Sequence, residues 1–294
     1  MPDWSSICAE VSAVTGKDFQ LCGERSVGGG SINNAWIIES VDQSYFVKTN
    51  SPALLDMFAA EAEGLQELAL ANAIKVPAVV CYGVAGDVSY LVMEYVPAGG
   101  GSSKSHAMLG EQLASMHRHT SAEFGWHRDN TIGSTHQPNT QSTDWLQFLG
   151  EQRLGYQLEL AARKGAARKL KQQGDTLLQE LAYFFEGYQP EASLLHGDLW
   201  SGNYAFTLEG EPLIFDPAVY YGDREADIAM TELFGGFTHD FYKSYDESWP
   251  RDHGYKQRKQ LYNLYHILNH FNLFGGGYEG QSISMLESLT RQLP

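Results

Sequence analysis

The chain has 294 residues, is 43% hydrophobic and 19% charged, and carries a net charge of −16. That length and balance suit a folded protein with a large core and exclude a disordered chain. The negative charge argues against nucleic acid and against an anionic membrane surface as partners. Cys8, Cys22 and Cys81 are odd in number and form no Cys-x-x-Cys, so neither a disulfide framework nor a zinc site is expected. No leader-like N-terminus and no run of 18 apolar residues is visible, so the expected location is the cytoplasm.

Residues 4–15 read as a short helix. A glycine-rich turn follows at 27–31, and strands are expected at 35–41 and 45–49, joined by Asp42-Gln43-Ser44. Residues 54–70 have helical periodicity. Two more strands, 79–84 and 89–96, are split by Gly86-Asp87, and Pro97 to Ser103 then breaks the pattern. Residues 108–116, 144–164, 167–188, 257–274 and 282–293 read as helical, with a strand-and-loop insert around 194–217. The expected fold class is therefore α+β and bilobal: residues 1–97 form a small antiparallel-sheet lobe with one main helix, and 98–294 form a larger, mostly helical lobe.

The insert carries the most informative residues. His196-Gly197-Asp198 is followed by Asn203, and Asp216 ends a second strand-like run, Leu213-Ile214-Phe215. Phosphoryl transfer from ATP uses this set of parts. One carboxylate takes the proton of the attacking hydroxyl, and an amide with a second carboxylate holds Mg2+ on the phosphates. Asp198 is the expected base, and Asn203 and Asp216 are the expected metal ligands. His196 is expected to organise the loop, and Asp227, on the next helix, to tie the loop down. A zinc reading of His196-x-Asp198 lacks a third ligand at helical spacing.

The small lobe would hold the nucleotide. Gly28, Gly29, Gly30 and Ser31 form a turn whose amides can approach phosphate, although the pattern is not a Walker loop. Alternation puts Tyr45, Val47 and Thr49 on one side of their strand and Phe46 and Lys48 on the other. In the 54–70 helix, Glu61 falls in the middle of the apolar stripe of Leu54, Phe58, Leu65 and Leu68. An acid there needs a partner, and Lys48 is the natural one. Glu63 points about 200° away on the helical wheel and is expected to face solvent. Met93, Glu94 and Tyr95 lead into the break and could offer backbone groups to adenine. Only residues 217–225 separate Asp216 from the next helix, with no Ala-Pro-Glu, so a small-molecule acceptor is expected.

The whole set resembles the fructosamine kinase (ketosamine-3-kinase) family among the aminoglycoside-phosphotransferase-like kinases. The likeness lies in Gly28-Gly29-Gly30-Ser31-Ile32-Asn33, Phe46-Val47-Lys48 and Met57-Phe58-Ala59-Ala60-Glu61-Ala62. It continues in Asp129-Asn130-Thr131-Ile132-Gly133 with Gln137-Pro138-Asn139, in Leu195 to Asn203, and in Phe215 to Glu225. The resemblance implies a protein-kinase-like fold. It also implies Mg-ATP-dependent phosphorylation of ketosamines of the fructosamine or ribulosamine type, at O3, with a role in deglycation. Trp200 is a candidate sugar platform, and Asp223 and Glu225 are candidate acids for a sugar-bound amine. Some members carry a cysteine in the glycine-rich loop that can form an intersubunit disulfide; this chain has none there. Two alternatives stay open: a kinase of another amine or alcohol, such as choline or an aminoglycoside, and a nucleotide-binding sensor without transfer activity.

Overall fold

A computed structural model describes residues 2–28 and 32–294. The first lobe is built on an antiparallel sheet of β1 (Gly23–Val27), β2 (Asn34–Glu39), β3 (Ser44–Asn50), β4 (Val79–Ala85) and β5 (Val88–Glu94), in the order β1-β2-β3-β5-β4. A helix covers each face: α1 (Trp4–Thr15) on one and α2 (Leu55–Leu70) on the other.

Strand alternation decides which residues meet which helix. Tyr45, Val47, Tyr90 and Val92 pack with Ile7, Cys8 and Val11 of α1. Leu91 and Met93, with Phe46, pack against Met57, Phe58, Ala62 and Leu65 of α2. Lys48 shares the α2 side of β3, as its parity requires. The sequence reading bounds four strands. The fifth, β1, reads Gly-Glu-Arg-Ser-Val and is mostly exposed, so it shows no apolar alternation. A charged edge strand of this kind also discourages sheet-to-sheet pairing.

The sheet ends at Glu94. The next strand, Ala98–Gly99, already pairs with Tyr204–Thr207 of the second lobe, so the chain crosses between lobes at 95–97. A second crossing follows α2, where Lys75 accepts the Ile214 amide at 3.0 Å. The second lobe is helical around one large core, which also takes in Leu68 of α2. The expected helix at 144–164 is nearly continuous, but it widens to a π segment over Leu149–Gly155. The expected 167–188 helix stops at Gln179 and resumes as one 3-10 stretch, Leu181–Phe185. Tyr255–Phe274 and Tyr278–Thr290 close the fold. Among the described residues, no helix is long and apolar enough to cross a membrane.

Candidate active site

The site is assembled where the strand Ala192–Leu195 delivers the loop 196–203 and the strand Pro212–Ile214 delivers Asp216. His196 is fully buried, and its Nε2 bonds the Phe215 carbonyl at 2.9 Å while its Nδ1 accepts the Asp198 amide at 3.3 Å. Burial lowers its pKa, so the ring is neutral and serves as a strut. Asp227 accepts the His196 amide at 2.7 Å and the Gly197 amide at 2.9 Å. It also meets His117 Nε2 at 3.2 Å. Burial opposes its charge, but these partners outweigh it, and the Asp227 pKa is lowered. Both residues therefore organise the loop, as expected.

Gly197 explains why the usual arginine of a His-Arg-Asp loop is missing. Its φ is +82°, and a Cβ there would lie 2.0 Å from the Ala218 carbonyl. Only glycine lets the catalytic loop approach the segment after Asp216 so closely. The contact is sealed by the Ala218 amide donating to the His196 carbonyl at 2.8 Å. Asp216 has φ +58°, a left-handed conformation uncommon outside glycine. Such outliers cluster at functional sites, where surrounding contacts hold them.

Asp198 is placed beside Asp216 and Asp227, and its carboxyl is pushed up to about 7, first by burial and then by those two charges. Asn203 spends its NH2 on the Asp198 carbonyl at 2.9 Å and the Asp216 carbonyl at 3.3 Å. Its Oδ1 is then the end available to a cation. The Asp216 side chain keeps 43% of its surface exposed. An amide oxygen and a partly exposed carboxylate are hard oxygen donors. Mg2+ usually takes only one or two protein carboxylates and completes its shell with water and phosphate, so the donor set fits.

From the other lobe, Lys48 Nζ donates to Glu61 Oε1 at 2.5 Å and also to Asp216 Oδ1. Burial works against the ammonium, but the two carboxylates win and raise its pKa. Glu61 is itself pushed up by burial and by Asp216, with Lys48 pulling the other way. The lysine thus stays charged and bridges the lobes.

Several expectations need correction. Met93 pairs with both Phe46 and Val79, and the Glu94 amide donates to the Ala78 carbonyl at 2.8 Å. The Met93 backbone and the Glu94 amide are committed to the sheet. Among the described residues, the amides of Tyr95 and Val96 have no partner in the chain, so of the three expected hinge residues Tyr95 keeps a free amide and Val96 adds a second. Asp223 and Glu225 do not present acids to a pocket. Both are fully buried. Asp223 accepts from Tyr188 at 3.0 Å and from Tyr262, and Glu225 meets Arg258 at 2.8 Å. Glu63 does not face solvent alone, because Arg128 reaches it at 2.5 Å. Of the remaining candidates, Trp200 is 38% exposed, Gly28 is described without a role-defining contact, and Gly29, Gly30 and Ser31 lie outside the described residues.

Residues 3–292 match the family described as fructosamine kinase. The chain belongs to the fructosamine kinase family. A Synechocystis protein named "Probable ketoamine kinase" is 47% identical over 289 residues, covering 98% of this chain and 97% of its own. The chloroplastic protein-ribulosamine 3-kinase of Arabidopsis thaliana is 45% identical over 284 residues, covering 95% of this chain and 86% of its own. A crystal structure from Haemophilus somnus 129PT that carries the fructosamine-3-kinase name superimposes with a TM-score of 0.89 at 30% identity, covering 97% of each chain.

Proposed function

We propose that the protein is an ATP-dependent kinase of ketosamines of the fructosamine or ribulosamine type, phosphorylating the O3 hydroxyl. The observation that carries this reading is Lys48 held between Glu61 and Asp216, with Asp198 and Asn203 on the same loop system, in a chain of this family. Relatives named ketoamine kinase and protein-ribulosamine 3-kinase support the acceptor class.

In this reading Lys48 neutralises the α- and β-phosphates, and the 95–96 edge meets adenine. Asp216 and Asn203 would hold Mg2+, which neutralises charge on the transferring phosphoryl group when bound. Asp198 accepts the proton of the acceptor hydroxyl as its oxygen bonds the γ-phosphorus and the bond to the β–γ bridging oxygen breaks, releasing ADP. A carboxyl poised near 7 suits a base working near neutral pH. Trp200, partly exposed two residues after Asp198, offers a face for the sugar. A phosphate at C3, next to the C2 carbonyl, is a good leaving group: a C1 proton is lost to form the enol, phosphate departs from C3, and water hydrolyses the resulting C1 imine to free the amine. That gives the enzyme a deglycation role.

The test is incubation with Mg-ATP and a small fructosamine or ribulosamine, with the phosphate located by NMR. Phosphate at O3 supports the reading. A simple hexose, choline or an aminoglycoside as the better acceptor would overturn the acceptor class while leaving the kinase chemistry in place. ATP binding with no transfer to any of them would favour the sensor.

A further inference from the structure

The motif Asp129-Asn130-Thr131-Ile132-Gly133 with Gln137-Pro138-Asn139 takes no part in the chemistry above, yet it touches both halves of the phosphate site. We propose that the 127–139 segment is a clamp that holds α2 against the backbone after Asp216, and that Arg128 is the positioning residue that keeps Lys48, Glu61 and Asp216 assembled. The proposal rests on the reading of Lys48 as the phosphate-contacting lysine.

One side of the clamp grips α2. Asp56, Glu63 and Glu67 stand at i, i+7 and i+11, hence on one helical face, well away from the face that carries Glu61. Arg128 Nη1 donates to Glu63 Oε1 at 2.5 Å, and Nη2 donates to Asp56 Oδ1 at 2.6 Å. His127 Nε2 meets the other Glu63 oxygen at 2.9 Å. Further along the same face, Glu67 accepts the Tyr221 hydroxyl at 2.6 Å, a direct contact between α2 and the segment after Asp216 that does not involve the clamp. The Arg128 side chain is only 22% exposed. The Glu63 side chain is 34% exposed and that of Asp56 87%, so the Glu63 contact is the sheltered part of the grip and the Asp56 contact an ordinary surface pair.

The other side grips the residues after Asp216. Asn130 Nδ2 donates to the Val219 carbonyl at 2.8 Å, and Gln137 Nε2 to the Ala218 carbonyl at 3.1 Å. Arg153, itself buried, fixes Asn139 at 2.6 Å and the Pro138 carbonyl at 2.6 Å. The two gripped parts also touch directly, since a Cβ on Gly64 of α2 would lie 3.3 Å from Val219. Both carboxylates that hold Lys48 are therefore carried by backbone that this one segment secures. Only residues 217–224 follow Asp216 before the next helix, so there is no long segment whose ordering could do the same work.

The test compares Arg128→Gln, Glu63→Gln, the double variant and Arg128→Lys by hydrogen exchange and by kinetics. Arg128→Gln should speed exchange in residues 55–70 without nucleotide present. It should raise KM for Mg-ATP about tenfold, the change that one lost charge-assisted contact of ~1.4 kcal/mol corresponds to, and leave KM for the ketosamine unchanged. The double variant should be no worse than the worse single one, and Arg128→Lys should recover part of the loss. Unchanged exchange in 55–70 with uniform destabilisation elsewhere overturns the clamp, as do single effects that simply multiply. If Arg128→Gln does not fold, Glu63→Gln probes the same grip from the α2 side and Asn130→Ala probes it from the Val219 side. Faster exchange in 55–70 with an unchanged KM for Mg-ATP upholds the clamp and removes Lys48 from the phosphate site instead.

Discussion

At the scale of single residues, the site is held in a state that costs stability. Asp198 has a carboxyl near 7 where an ordinary aspartate has 3.8. Between those values the folded protein binds a proton that the unfolded chain does not, so stability falls as pH rises from about 4 to about 7. Asp198→Asn removes that slope. The variant is expected to melt higher than the wild type at pH 8 and at nearly the same temperature at pH 4, in parallel thermal scans. It should also lose ~10²–10⁴-fold in turnover, the usual worth of a positioned base. In the wild type, kcat/KM should fall as pH drops through about 7, because the carboxylate is the active form. Bound Mg2+ should move the same transition in kcat to lower pH, since a nearby cation favours the charged carboxylate. A flat kcat/KM profile from pH 5 to 8 would count against the base role.

At the scale of elements, what the sequence made legible depended on how far apart the partners lie. The phase of α2 put Glu61 inward, and Lys48, thirteen residues away across a short connection, was its evident partner. The same wheel left Glu63 as a surface charge, because Arg128 lies 65 residues later, in a bend just before a hairpin that no local pattern reveals. Asp223 and Glu225 misled for the same reason. An Asp-Arg-Glu turn looks like exposed charge until Arg258 and Tyr262, 33 and 39 residues on, close over it. His196 and Asp227 were readable because their roles follow from the loop motif itself. Two expectations follow. Glu61→Gln should lower turnover with Mg-ATP by about tenfold or more, as expected if Lys48 is the phosphate-binding lysine and loses one charged contact. Glu225→Gln should instead act on folding. Breaking a buried ion pair costs ~3–5 kcal/mol, so a denaturant titration should show a large loss of stability. KM for the ketosamine should hold at temperatures where the variant is folded. A selective rise in that KM, with stability intact, would restore Glu225 to the acceptor site.

At the scale of the molecule, the two lobes meet through charge as well as apolar surface. Lys48 of the first lobe reaches Asp216 of the second, and Leu68 of α2 lies in the second lobe's core. The acidic chain of net charge −16 must still accept a triphosphate, so the local cations have to offset the general repulsion. Lys48 is a buried cation at the proposed site, where Asp216 and Asn203 would hold a divalent ion. Mg-ATP should therefore bind the folded form and stabilise it by linkage. At a hundredfold excess over Kd the gain is ~2.7 kcal/mol, which for a chain of this size is a rise in Tm on the order of 5 °C. The rise should persist in Asp198→Asn, which lacks only the base. It should vanish in Lys48→Met, and in Asp216→Ala it should return in part as magnesium is raised. The three variants separate binding from chemistry in one thermal-shift series. An equal shift in the wild type and Lys48→Met would place the nucleotide elsewhere, and a shift in Asp216→Ala that is indifferent to magnesium would remove Asp216 from the metal.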